Sequence, residues 1–342
     1  MSTIESTRTS PPAAPLLSVQ NLAVEFSTSA GVVRALDGVG FDVAAGETLA
    51  ILGESGSGKS VTAQAIMALL PKPAGSIAGG RILFDGVDLA AEPVARVREL
   101  CATAIALIFQ DPLSSLNPVF RIGYQVAEPF RRRLGMGKRE AWAKALELLK
   151  RVGIPDADTR INDYPHQFSG GQRQRIMIAM AIALDPKLLI ADEPTTALDV
   201  TVQAQIMKLL ADLQAETGMA MILISHDLGV VADVAERAAI MYAGRIVETG
   251  RIREVYDHPA HPYTKGLLDS IPSAAAVGER LKPIVGSPPN LLALPTGCAF
   301  HPRCPFATEA TRTTVPELRH PEGWEPGHLA ACLRSEKVLP HG

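Results

Sequence analysis

Residues 53–60 read Gly53-Glu54-Ser55-Gly56-Ser57-Gly58-Lys59-Ser60, and this octet decides the fold. It matches the pattern G-x-x-x-x-G-K-[ST] at every position. An apolar, strand-like run (Thr48-Leu-Ala-Ile-Leu52) precedes it, and a helix-like stretch from Val61 to Leu70 follows. That strand–loop–helix context is what a phosphate cradle needs. Glycines let backbone N–H groups turn inward and approach an anion closely. The helix that follows presents its positive end to the phosphate. Lys59 is expected to reach the β- and γ-phosphates and Ser60 to ligate Mg²⁺.

Working outward, the 342 residues are enough for a large core and, by length, two domains. The hydrophobic share is 47% and the charged share 20%, which is ordinary for a globular protein. A net charge of −3 supplies no basic field, so no nucleic-acid partner is expected. No uninterrupted apolar run reaches the ~18–20 residues of a membrane span. The first residues lack an apolar h-region, so a secretory signal is not expected and residues 1–15 read as a disordered tail. Four cysteines in a chain this long do not suggest a disulfide scaffold, and a reducing cytosol is the expected setting.

Residues 16–27 alternate apolar and polar and read as a strand at a sheet edge. Short strands are expected at 32–36, 40–43 and 81–84, with a turn at Asp85-Gly86. Buried strands are expected at 104–109, 187–191 and 220–225, separated by helical stretches, which implies a parallel α/β core. Residues 138–152 put Trp142, Ala145, Leu146, Leu149 and Val152 on one helical face. The triple Arg131-Arg132-Arg133 reads as a solvated face. Beyond about residue 255 seven prolines, from Pro259 to Pro295, break any long helix, so a domain boundary is placed there.

Two further signals carry chemistry. Lys187-Leu-Leu-Ile-Ala-Asp192-Glu193 is a buried strand ending in two acids. Asp192 can hold Mg²⁺ through its water shell, and Glu193 can take a proton from an attacking water. Phe168-Ser169-Gly170-Gly171-Gln172 opens a helix with a good N-cap and exposed first-turn amides. It is a second anion-binding helix start in one chain. One nucleotide needs one loop, so the economical explanation is that this one serves a nucleotide held by another subunit.

Taken together, Gly53–Ser60, Gln110, Ser169–Gln172, Asp192-Glu193, Asp199 and His226 resemble the ATP-binding subunits of ABC transporters, over roughly residues 16–255. Three more stretches, Phe109–Pro118, Tyr164–Gly171 and His261-Pro262-Tyr263-Thr264, resemble the oligopeptide/dipeptide importer group. The resemblance implies an α/β P-loop NTPase cassette of ABC type: a parallel core sheet, an antiparallel β edge and an inserted helical subdomain at about 100–168. It also implies a small, loop-rich C-terminal extension over 256–342. Two MgATP would be sandwiched in a head-to-tail dimer. Gly53, Ser55, Gly56, Ser57, Gly58, Lys59, Ser60, Val61, Gln110 and Asp192 would bind nucleotide in one subunit, with Ser60, Gln110 and Asp192 around Mg²⁺. Ser169, Gly170, Gly171 and Gln172 would touch the γ-phosphate from the other. Glu193 would be the general base, with His226 and Gln110 orienting the water. Asp199 would cross the interface; its other reading is a helix cap. Phe26, or else Val33 or Arg34, would stack on adenine.

The resemblance implies partners as well: a second ATP-binding subunit, often a distinct paralogue, two transmembrane permeases and an extracytoplasmic binding protein. The chain would sit on the cytoplasmic face of the cell membrane. Peptides are the group's usual cargo, and nickel, oligosaccharides and opine-like compounds are alternatives. A soluble ABC ATPase is the second reading, but no paired cassette or long heptad insertion is present. A nucleotide-gated module without turnover would have a damaged Glu193 or His226. Cys298, Cys304 and Cys332 resemble part of a segment that holds a 4Fe-4S (iron–sulfur) cluster in several members. Thr311 stands where a fourth cysteine is expected. His301, His320 or His328 could complete a site, for iron–sulfur or zinc, or the thiols bind no metal. Cys101 reads as a core residue at the start of a buried strand.

Overall fold

The computed structural model describes residues 14–111, 115–196, 198–270 and 283–338. The expected tail lies outside them but for its last two residues, as do residues 112–114 of the Phe109–Pro118 stretch.

The main sheet is built on β3 (Thr48–Leu52), β7 (Leu188–Asp192) and β8 (Ala220–Ser225), each apolar along almost its whole length and buried. A strand covered on both faces reads as a continuous apolar run, not as an alternation. The covering differs by face. Leu49 and Ile51 of β3 belong to one hydrophobic cluster, Ala50 and Leu52 to another. The period-2 geometry of a strand thus sorts one pentapeptide into two cores.

Among the described residues this sheet has seven strands in the order β11-β10-β9-β3-β8-β7-β6, with β6 at Ile105–Ile108, β9 at Arg237–Tyr242, β10 at Arg245–Arg251 and β11 at Leu329–Ala330. The strands β6, β7, β8, β3 and β9 run parallel, β10 pairs antiparallel with β9, and β11 pairs antiparallel with β10. One face carries helix α1 (Lys59–Ile66), helix α2 (Val94–Ala104) and a four-stranded antiparallel sheet. That sheet has the order β2-β1-β4-β5, from β1 (Leu17–Thr28), β2 (Gly31–Val43), β4 (Gly75–Phe84) and β5 (Val87–Asp88). The other face carries the helices α3 (Ile122–Arg133), α4 (Lys138–Arg151), α5 (Ala157–Arg160), α6 (Gly170–Ile182) and α7 (Val200–Thr217). On α4, Ala145 and Leu149 are buried, as the helical periodicity requires.

Three sequence readings change. The strand expected at a sheet edge, β1, pairs on both sides, with β2 and with β4; its alternation reports one buried face rather than an edge position. The short strands expected at 32–36 and 40–43 are one long strand whose pairing to β1 shifts register. Cys101 lies in α2, not in a strand, and packs into the core beside Val97; burial pushes its thiol up to about 11.

The chain past residue 255 packs onto the cassette. Helix α8 (Leu228–Val231) leads through β9 and β10 to α9 (Ile252–Asp257) and α10 (Pro262–Asp269). A short helix, α11 (Glu309–Thr313), lies further on, and β11 pairs with β10. Tyr263, Leu268 and Phe300 are buried in the same cluster as β3 and α6. Among the described residues no helix is long and apolar enough to cross a membrane.

Candidate functional site

Parallel strands point their carboxyl ends at one edge of the sheet, where α/β proteins place ligand sites. Here β3 delivers Gly53, β6 delivers Gln110, β7 delivers Asp192 and Glu193, and β8 delivers His226. The loop after β3 accepts no side chain at Gly53: its φ is +151° and a Cβ would lie 2.2 Å from the Met241 carbonyl oxygen. Lys59 is buried and donates from Nζ to the carbonyls of Gly53 (2.7 Å) and Glu54 (3.0 Å). Burial lowers its pKa, against the pull of Glu193, Asp192 and Glu54. Ser60 Oγ donates to Asp192 Oδ1 at 3.1 Å. Burial raises the Asp192 pKa and the Ser60 hydrogen bond opposes the rise.

A hydroxyl beside a carboxylate is a hard oxygen donor set of the kind Mg²⁺ prefers. Ser57 Oγ is buried and has no hydrogen-bond partner among the described residues. Buried polar groups are normally satisfied, so a phosphate oxygen fits the loop at this point. The residues present therefore fit MgATP.

Glu193 is the hub. Its Oε2 accepts from Gln110 Nε2 at 2.7 Å and from Thr196 Oγ1 at 2.9 Å, and its Oε1 lies 3.4 Å from His226 Nδ1. Its backbone has φ +47°, the left-handed region that costs a non-glycine residue roughly 1–3 kcal/mol. The Glu193 N–H donates to the Ile224 carbonyl at 2.9 Å, which ties the strained turn to β8. Four residues singled out in the sequence, Gln110, Asp192, Glu193 and His226, thus meet at the carboxyl edge with Lys59 and Ser60.

Ser169–Gln172 forms an exposed helix start. Ser169 Oγ accepts from the Gln172 N–H (3.3 Å) and Gln172 Oε1 from the Ser169 N–H (3.2 Å), a reciprocal capping box. Gly171 is there for close approach: a Cβ would meet Val202 of α7 at 2.6 Å. Asp199 caps α7 by accepting from the Val202 N–H at 3.0 Å. Phe26 lies partly buried against the core over Gly75, and Arg34 pairs with Glu25 at 2.7 Å.

Sequence reading missed the supports. Thr196 was one of two threonines after Pro194 with nothing to mark it. Glu54 filled a variable position of the loop, yet all its polar groups are engaged. Its carbonyl accepts from Lys59, its N–H donates to the Tyr263 hydroxyl (2.7 Å), and its carboxylate takes both Arg303 amino groups (2.6 and 2.9 Å). The stretch His261–Thr264 carries the importer-group resemblance, but its sequence discloses no physical task. It mounts Tyr263: buried His261 accepts at Nδ1 from the Tyr263 N–H and caps α10, while Glu248 accepts from the His261 N–H.

Cys298, Cys304, Cys332 and Thr311 line one cavity, but its volume is about 10 Å³, the lower limit for a single water. Thr311 Oγ1 is engaged, donating to the Thr308 carbonyl (2.7 Å) and accepting from the Thr308 N–H (2.9 Å). Burial raises all three thiols, Cys332 to about 11, whereas metal ligation needs thiolates. His301 and His320 face backbone carbonyls and His328 donates to Glu248. Among the described residues no group of three or more His, Cys, Asp or Glu is arranged to hold a metal. The donor set does not fit an iron–sulfur cluster.

Residues 36–196 match the family described as ABC transporter, and residues 247–310 that described as oligopeptide/dipeptide transporter, C-terminal region. The chain is 49% identical over 335 residues to a putative peptide import ATP-binding protein of Brucella melitensis, covering 95% of this chain and 98% of that one. It is 52% identical over 290 residues to the dipeptide transport ATP-binding protein DppD of Bacillus subtilis, covering 85% and 87%. Its fold is similar to the ATP-binding cassette MJ0796, solved as a dimer in a post-hydrolysis state bound to ADP and Pi. The TM-score is 0.62 at 29% identity, over 69% of this chain and 99% of that one.

Proposed function

The chain belongs to the ATP-binding subunits of ABC transporters, in the oligopeptide/dipeptide importer group, and from that premise we propose how its residues divide the work. It is the ATP-hydrolysing subunit of an importer, and the cargo is di- or oligopeptide. The phosphate loop, Lys59 and Ser60 hold the triphosphate. Ser60, Asp192 and Gln110 hold Mg²⁺, which when bound supplies charge neutralisation at the phosphoryl group. Glu193 takes the proton of the attacking water, and His226 and Gln110 align that water. A positioned base contributes roughly 10²–10⁴-fold.

Ser169–Gln172 serves the γ-phosphate bound by a second ATP-binding subunit, and Asp199 lies at that interface in addition to capping its helix. Closure then depends on the γ-phosphate, and hydrolysis releases it. The permease contact lies on the segment that runs on from Gln110, where Phe109 (48% exposed), Val119 (70%) and Phe120 (46%) leave apolar side chains bare. Bare apolar side chains of this size suit an interaction surface. Through it the subunit works at the cytoplasmic face of the membrane, with two permeases and an extracytoplasmic binding protein.

The observation that carries this reading is the convergence of Gln110, Thr196 and His226 on Glu193, beside Lys59 and the Ser60–Asp192 pair. Glu193→Gln keeps the shape and removes the base. MgATP binding by the purified variant should stay within about threefold of wild type, and turnover should fall by about 10²-fold or more. Hydrolysis at the wild-type rate would take the base away from Glu193. Peptide uptake into vesicles carrying the assembled system tests the cargo; uptake of nickel or sugar in its place would move the assignment.

A further inference from the structure

The C-terminal extension reaches the nucleotide site itself. Arg303 comes from the segment between Cys298 and Cys304, and its side chain is only 5% exposed. A guanidinium that buried is costly unless paired. Its partner is Glu54, the second residue of the phosphate loop, held by two parallel hydrogen bonds of 2.6 and 2.9 Å. Arg303 is seated on the rings of Tyr242 and Phe300, with centroids at 5.9 and 5.8 Å, and its Nε donates to the Val285 carbonyl. A second anchor comes from α10, where the Tyr263 hydroxyl accepts the Glu54 N–H at 2.7 Å.

Glu54 sits five positions before Lys59, and its carbonyl is one of the two that receive the Lys59 ammonium. An uncompensated carboxylate here would stand in the loop that must receive a triphosphate. Two negative groups repel most strongly where water is excluded. A bidentate arginine cancels that charge and fixes the loop's direction at once.

We propose that Arg303, assisted by Tyr263, is a positioning residue of the ATP site: it neutralises Glu54 and orients the phosphate loop, so that the extension sets the affinity for MgATP. This rests on reading residues 53–60 as the ATP site. Neither residue touches the reacting atoms, so the effect falls on binding and leaves the chemical step nearly intact.

The test uses the full chain and measures MgATP binding by titration calorimetry together with KM and kcat. Arg303→Ala should raise Kd and KM about tenfold while kcat changes less than about threefold. Adding Glu54→Gln to Arg303→Ala should recover most of the lost affinity, because the unpaired charge is then gone; Arg303→Lys should fall between. A purely structural arginine would not be rescued by changing Glu54. Should Arg303→Ala fail to fold, Tyr263→Phe, which deletes one hydroxyl, should still raise Kd by about threefold. Unchanged affinity in the folded variants, or a double variant no better than Arg303→Ala, would overturn the proposal. A wild-type chain that binds no MgATP would instead overturn the ATP reading beneath it.

Discussion

At the scale of single residues, the site combines groups with local signatures and groups without them. Lys59 and Ser60 are legible because the phosphate loop is one contiguous stretch whose glycines and lysine act on the same anion. Asp192 and Glu193 are legible because the buried strand that ends in them follows the phosphate loop at about the distance its acidic partner needs; alone, such a strand end says little. Thr196, Glu54 and Arg303 are not, because the contacts that define their roles are set by the fold; Arg303 and Glu54 stand 249 positions apart in the chain. Ser169 tests the two tasks one residue can hold. As an N-cap it accepts from the Gln172 N–H, and Ser169→Ala should cost about 1 kcal/mol in denaturant unfolding. Aspartate caps a helix as well as serine does, so Ser169→Asp should unfold within about 0.5 kcal/mol of wild type. Its charge, however, would meet the partner-bound γ-phosphate. In a Glu193→Gln background, Ser169→Asp should therefore abolish MgATP-dependent association with the second ATP-binding subunit, measured by gel filtration. Undiminished association would show that Ser169 does not face a second nucleotide.

At the scale of elements, helix α10 illustrates how a short motif can be visible and yet uninterpreted. In His261-Pro262-Tyr263-Thr264 the proline suits a first helical turn, and that much is legible. The histidine's work is not, because it depends on complete burial between β10 and the extension. His261 is 1% exposed, and burial pushes its pKa from the ordinary 6.5 down to about 3. Folded, the imidazole stays neutral; unfolded, it takes up a proton below pH 6.5. The unfolded state then binds more protons than the native state, so stability is lost as pH falls from 6.5 towards 3. The contribution is about 1.4 kcal/mol per pH unit across that window. His261→Asn keeps an N-cap acceptor without a titrating ring. Between pH 6.5 and 5 the unfolding free energy of wild type should fall more steeply than that of His261→Asn, by about that slope. Parallel curves for the two proteins would mean that His261 is not held neutral.

At the scale of the whole molecule, the parallel sheet was legible from its buried strands and the phosphate loop, since an apolar run between helices has few other uses. The relation of the extension to the cassette was not. Prolines and loops beyond residue 255 suggest a module apart, because composition reports local conformation and says nothing of what a loop lies against. In the structure, Tyr263, Leu268 and Phe300 share one buried cluster with Leu52, Leu223 and Tyr242 of the main sheet, and β11 covers the edge of β10. Tyr242, Tyr263 and Phe300 pack ring against ring at 4.6–5.4 Å. Burying two large aromatic side chains removes on the order of 300–500 Å² from water, about 7–12 kcal/mol as an upper bound. That is as large as the whole stability of a typical domain, about 5–15 kcal/mol. Truncation after Asp257 would strip this aromatic layer, bare the edge of β10 and release Glu54 from both of its anchors at once. The truncated chain should aggregate, or melt at least about 10 °C below the full chain, and should lose MgATP affinity in the soluble fraction. A truncated cassette that is monomeric, melts with the full chain and binds MgATP equally well would show that the cassette up to 255 stands on its own, and would leave the extension without a hand in the ATP site.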